Sequence, residues 1–81
     1  MLNISDFHIV DVIFHDRRGE VPTLCYGGLR NIYHVAKAEP GFHGYELFVR
    51  KVKSNATKVY ACSSLSVAIA NIEALERGEE I

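Results

Sequence analysis

One stretch of this 81-residue sequence is an amphipathic helix by its spacing, and it comes near the end. In SLSVAIANIEALERG, the residues Leu65, Ala68, Ile69, Ile72 and Leu75 recur at helical intervals and form one apolar stripe. Ser63 or Ser64 supplies an N-cap hydroxyl, and Gly78 stands where a helix commonly ends in the left-handed conformation. Arg77 suits the negative end of the helix dipole, and Glu73 four residues before it adds a weak favourable pair. A stripe of this kind needs a sheet to cover, and the rest of the chain reads as strands and turns.

The segment DFHIVDVIFH at 6–15 is rich in β-branched and aromatic residues. His8, Val10, Val12 and Phe14 share one strand face, and Phe7, Ile9, Asp11 and Ile13 the other. Both faces are largely apolar, so this strand is expected to be covered on both sides. HDRRGE at 15–20 is a polar turn and VPTLCYG at 21–27 a return strand, with Pro22 expected at the strand start or an edge. In LRNIYHVAKAEPG at 29–41, Leu29, Ile32, Tyr33 and Ala36 fit a helical stripe, but Ile-Tyr-His-Val favours a strand and EPGFHG suits a turn. The strand is preferred and a helix over 29–38 is the runner-up.

The hairpin FVRKVKSNATKVYA at 48–61 carries four bases and no acid. Pairing Lys53 with Lys58 sets Val52 against Val59, Lys51 against Tyr60 and Arg50 against Ala61. One face then holds Phe48, Val52, Val59 and Ala61, with Arg50 intruding, and is expected to lie under the helix. The other holds Lys51, Lys53, Lys58 and Tyr60 at the tip, above Tyr45, Leu47, Val49 and Cys62. The fold class that follows is α+β: one domain over 1–81, an antiparallel sheet of four to five strands, and one C-terminal helix on one face.

Composition narrows the function. Hydrophobic residues make up 48% and charged residues 23%, which suits a folded globular chain. No apolar run approaches the roughly 20 residues of a membrane span, and MLNISDFHIV lacks the basic start and cleavage pattern of a signal peptide, so a cytoplasmic protein is expected. Cys25 and Cys62 lie far apart and are expected to be reduced, buried and inert. His8, His15, His34 and His43 show no CxxC or HxxxH spacing with one another or with the cysteines, so no metal is expected. No nucleophile elbow and no glycine-rich phosphate loop is present, so neither a catalytic residue nor a cofactor is expected.

Charge is uneven. Residues 41–72 hold four bases and one acid, whereas 73–81 hold Glu73, Glu76, Glu79 and Glu80 against Arg77. Two function classes follow. The first, preferred, is a small non-catalytic adaptor or regulator acting by protein–protein contact and associating with itself. Its seam is drawn from the small residues Val67, Ala70 and Ala74 on the helix, or from Tyr45, Leu47 and Val49. The alternative is a nucleic-acid-binding module in which Arg50, Lys51, Lys53 and Lys58 grip phosphates and Tyr60 stacks on a base. In that architecture, three strands followed by one helix over about residues 30–77 resemble the AP2-like DNA-binding domains of plant transcription factors and phage integrases. Those domains read bases from Arg- and Trp-rich strands, whereas this chain has no Trp and only Arg50 in the hairpin.

Overall fold

The computed structural model describes all 81 residues. Five antiparallel strands run in order of sequence: β1 (His8–Ile13), β2 (Glu20–Gly27), β3 (Asn31–Lys37), β4 (Tyr45–Lys51) and β5 (Thr57–Cys62). Helix α1 (Leu65–Glu76) follows and lies across β3, β4 and β5. The α+β meander with one C-terminal helix is therefore the fold, and 29–38 is strand rather than helix. Residues Ile-Tyr-His-Val of β3 sit between two partners, where branched and aromatic side chains pack best.

Local signals fix the helix. Ser64 Oγ accepts the Val67 N–H at 3.2 Å. At the other end Gly78 takes φ +85°, its N–H bonds the Leu75 carbonyl, and the Glu79 N–H bonds the Ala74 carbonyl. This pair of bonds is the Schellman closure that only a residue tolerant of positive φ makes cheaply. Ala68 and Ile72 are fully buried, and Leu65, Ile69 and Leu75 pack at the margin, as the stripe requires. Arg77 turns to Glu79 rather than to Glu73, and the Glu73 carboxylate instead accepts the Leu2 N–H at 2.9 Å.

The helix covers the face opposite to the one expected. Its stripe meets Tyr33, Val35, Leu47, Val49 and Cys62, all on the second face of β3–β5. Phe48 and Val59 point the other way, and Val52 lies in the β4–β5 turn, half exposed. The hairpin register also differs, with Phe48 opposite Val59, Val49 opposite Lys58 and Arg50 opposite Thr57. The shift is even, so each residue keeps its expected facial neighbours while the connecting turn lengthens. Ser54 holds that longer turn, its N–H on the Lys51 carbonyl and its hydroxyl accepting the Ala56 N–H.

β1 is an edge strand exposed over most of its length, not a strand covered on both sides. Pro22, within β2, pairs with Asp11 of β1, and the β2–β3 ladder begins only at Leu24. Near β2 the N-terminal turn brings buried Phe7 against Tyr26, with ring centroids 5.5 Å apart, and Tyr26 stacks on Tyr33 at 6.1 Å. On the helix-free face the Phe14 and Phe48 rings lie 5.3 Å apart. A flat sheet would separate β1 from β4 by about 14 Å, three strand spacings, so the sheet curls and this face is concave.

One carboxylate locks the helix to the β2–β3 turn. Glu76, in the last turn of α1, accepts the Tyr33 hydroxyl at 2.6 Å and the Leu29 N–H at 2.7 Å. The Arg30 and Asn31 N–H groups complete the cradle at 3.3 Å. Arg30 Nε returns to the Glu76 carbonyl at 3.1 Å. A Cβ at Gly28 would fall on the Glu76 carboxylate, so a side chain there would push the carboxylate out of this cradle.

Candidate functional site

The four bases of the hairpin do not form one patch. Lys51 and Lys58 lie on the helix side of the sheet, Lys53 lies in the turn, and Arg50 faces the concave side. All three lysines are exposed, and none pairs with an acid; the ion pairs of the molecule are made by Arg18 and Arg77. The Val52 N–H donates to the Arg30 carbonyl at 3.3 Å and so ties the tip to the β2–β3 turn. Tyr60 is half buried against the core, which takes most of its ring away from stacking use.

The helix seam is available to a partner. Val67 and Ala70 are exposed and Ala74 is partly so, on the side of α1 turned away from Ala68 and Ile72. The second proposed seam is not available as a whole. Leu47 and Val49 lie under the helix at 0% and 7% exposure, and only Tyr45 reaches the surface.

An uncovered apolar surface remains where sequence reasoning did not look for one. On the helix side, α1 stops short of β1 and β2, which leaves Ile9 and Ile13 at 74% and 70% exposure. Beside Ile9 runs a groove of about 320 Å³ lined by Pro22, Leu24, Val35, Lys37 and Tyr45. Asp11 stands between the two isoleucines on the same strand face, opposite Pro22. A strand whose two faces are both apolar was the available signal. It marked apolar demand, and the structure shows that this chain's own helix does not meet it.

The concave face brings together residues that no sequence spacing connects. Cys25 lies directly opposite His34, and His34 opposite Phe48. Thr23 Oγ donates to the Val10 carbonyl at 3.3 Å and lies 3.2 Å from His34 Nδ1. Burial, and after it the charge of Arg50, holds the His34 imidazole below its ordinary value, so it is neutral at neutral pH. Burial pushes the Cys25 and Cys62 thiols up, which keeps both protonated and weakly nucleophilic. His8, His15 and His43 join no cluster; nowhere do three or more His, Cys, Asp or Glu side chains gather as metal ligands.

No protein-family model matches the chain, and no curated protein or solved structure matches it. No helix is long and apolar enough to cross a membrane. Function therefore has to be argued from these surfaces.

Proposed function

We propose that this chain is a small non-catalytic protein-interaction module that pairs with a second copy through the uncovered side of β1 and β2. The observation that carries this reading is the pair Ile9 and Ile13, both largely exposed beside an apolar groove on a free sheet edge. An edge strand of this length with isoleucines standing out invites a partner unless something covers it.

The surface is also self-complementary. Asp11 lies opposite Pro22 on one flank, and Lys37 lines the groove on the other, from β3. A two-fold axis parallel to β2 brings β1 of each copy to the other's groove beside the Lys37 end of β3, clear of the part of β3 that α1 covers. Asp11 then meets the basic flank of the facing copy, and apolar residues close between them. Closed pairing of this kind also explains why the acid sits among isoleucines, where it opposes any registry that stacks the two edges acid on acid.

Light scattering across a concentration series tests the pairing. The wild-type chain is expected to reach a dimer by high micromolar concentration, and Ile9→Glu with Ile13→Glu to raise the dimer Kd by more than about tenfold. Ala70→Glu, on the helix seam, should leave the dimer intact. A monomer at every concentration would retire self-association, and dissociation by Ala70→Glu alone would move the interface to Val67, Ala70 and Ala74.

A nucleic-acid role is a second reading, favoured by one observation: Lys51, Lys53 and Lys58 are all free of acids. Fluorescence titration against mixed-sequence single- and double-stranded DNA at two salt concentrations tests it. Steep weakening with salt, with binding lost in a Lys51/Lys53/Lys58→Ala variant, would support a phosphate-gripping tip. The weaker geometry of this reading is plain: Arg50 turns to the other face and Tyr60 packs inward. Flat titration curves are the expected result.

A further inference from the structure

On the concave face a half-open pocket of about 160 Å³ is lined by Val12, Phe14, His34, Phe48, Arg50 and Thr57. Val12, Phe14 and Phe48 give it an apolar wall, and His34, Thr57 and Arg50 its polar groups; the Arg50 side chain sits half buried with no hydrogen bond and no ion pair. A guanidinium partly withdrawn from water and left unpaired is costly, and an anion placed on its fork recovers that cost. Arg18, the other arginine beside this face, is engaged elsewhere. Arg18 is bound to Asp16 and Glu46, and it braces the Phe14 ring from outside with Cζ 4.1 Å from the centroid.

His34 defines a second polar point. In the tautomer where the Thr23 hydroxyl keeps its bond to the Val10 carbonyl, His34 Nδ1–H donates to Thr23 and Nε2 stands as an acceptor. The geometry points to a binding site for a small carboxylic acid with an aromatic or branched apolar body, its carboxylate on Arg50 and its body against Phe14 and Phe48. A hydroxyl on that body can donate to His34 Nε2. The cavity holds roughly five waters' share of volume, which suits a ring-sized body and excludes a nucleotide. Arg50 is the one formal charge in the lining and matches a single carboxylate; a phosphate dianion wants more charge than one guanidinium and the Thr57 hydroxyl supply.

Backbone amide NMR on the full chain tests the site, with benzoate, benzamide and inorganic phosphate as probes. Benzoate is expected to shift the amides of Val12, Phe14, His34, Phe48, Arg50 and Thr57 saturably, with a Kd of about 1 mM or tighter. Its charge on Arg50 should also raise the His34 titration midpoint, a change that a nonspecific apolar contact would not produce. Benzamide, with the same shape and no charge, should bind at least about tenfold more weakly, as should benzoate to Arg50→Gln. Equal shifts from benzoate and benzamide, or unaltered benzoate binding by Arg50→Gln, would overturn the proposal. So would phosphate shifts at the same amides as large as those of benzoate. Should Arg50→Gln fail to fold, the wild-type comparison of benzoate with benzamide decides alone.

Discussion

Glu76→Ala is expected to lower the free energy of unfolding by about 3 kcal/mol, read as the midpoint shift in urea at constant slope. The carboxylate accepts from the Tyr33 hydroxyl and from three consecutive backbone N–H groups of the β2–β3 turn. Alanine leaves two of those donors where water reaches poorly, since Tyr33 is 0% exposed and Asn31 9%, whereas the Leu29 and Arg30 N–H groups can turn to solvent. The Asn31 side-chain amide then donates to a tyrosine hydroxyl that has itself lost its acceptor. Glu73→Ala, three residues earlier on the same helix, removes one hydrogen bond to the Leu2 N–H and should cost under about 1 kcal/mol. Gly28→Ala gives a further check, since its methyl group displaces the same carboxylate. In the Glu76→Ala background it should cost little, so the two substitutions are strongly non-additive.

The same site sets part of the pH dependence. Burial alone would raise the Glu76 carboxyl, but the Tyr33 hydroxyl and the backbone N–H groups overcome it and hold the group below its ordinary value of 4.5. A carboxyl depressed in the folded state stabilises the fold at pH above its unfolded value, and that contribution is lost as pH falls through the folded one. Glu76→Gln should therefore flatten the acid limb of the stability curve. A wild-type and a Gln curve that stay parallel down the acid limb would remove Glu76 from the account.

The parts of this fold that were legible in the sequence are those set within a few residues. Ser64 and Gly78 bracket a stripe that only a helix can align, and alternation separates the strands of the meander. Facial choice was not local in this sense. Both faces of β4 are apolar, with Leu47 and Val49 on one and Phe48 on the other, and by charge alone Lys51, Lys53 and Lys58 mark the first as solvent-facing. In the structure the helix covers the middle of β3–β5, while the lysines lie at the end of the sheet in strand ends and turn. Parity across strands held the answer, because Tyr33, Val35, Leu47, Val49 and Cys62 all fall on one face, but only once the register is known. The candidate surfaces divide the same way. The helix seam and the free lysines follow from spacing and charge. Exposure of Ile9 and Ile13 depends on how far α1 reaches, and the Arg50 cavity depends on a curl that brings β1 over β4.

Arg18→Ala should destabilise the chain by about 3 kcal/mol, because it breaks a charge cluster from its buried end. The Arg18 side chain is 8% exposed. Its Nε and Nη2 reach Asp16 Oδ2 at 2.8 and 2.7 Å, Nη1 donates to the Lys37 carbonyl at 2.7 Å, and Nη2 lies 3.1 Å from Glu46 Oε1. One guanidinium thus ties the β1–β2 turn to both strands of the β3–β4 pair. Arg18→Lys should recover only a minor part, since an ammonium cannot hold this fork. Arg18→Met combined with Glu46→Gln should be more stable than Arg18→Met alone, because the double change neutralises one of the two acids that lose their partner. Side-chain hydrogen bonding from Arg18, against an opposing burial effect, holds Asp16 at about 2 rather than 3.8. That stabilisation is present above 3.8 and fades as pH falls toward 2, and the fading should shrink in Arg18→Ala, which leaves only the hydrogen bond with Glu39 to lower Asp16. The same variant should weaken the Phe14–Phe48 contact, seen as loss of ring-to-ring NOEs. Arg18 and Phe48 hold the Phe14 ring between them, so the concave cavity keeps its wall only while that guanidinium is in place.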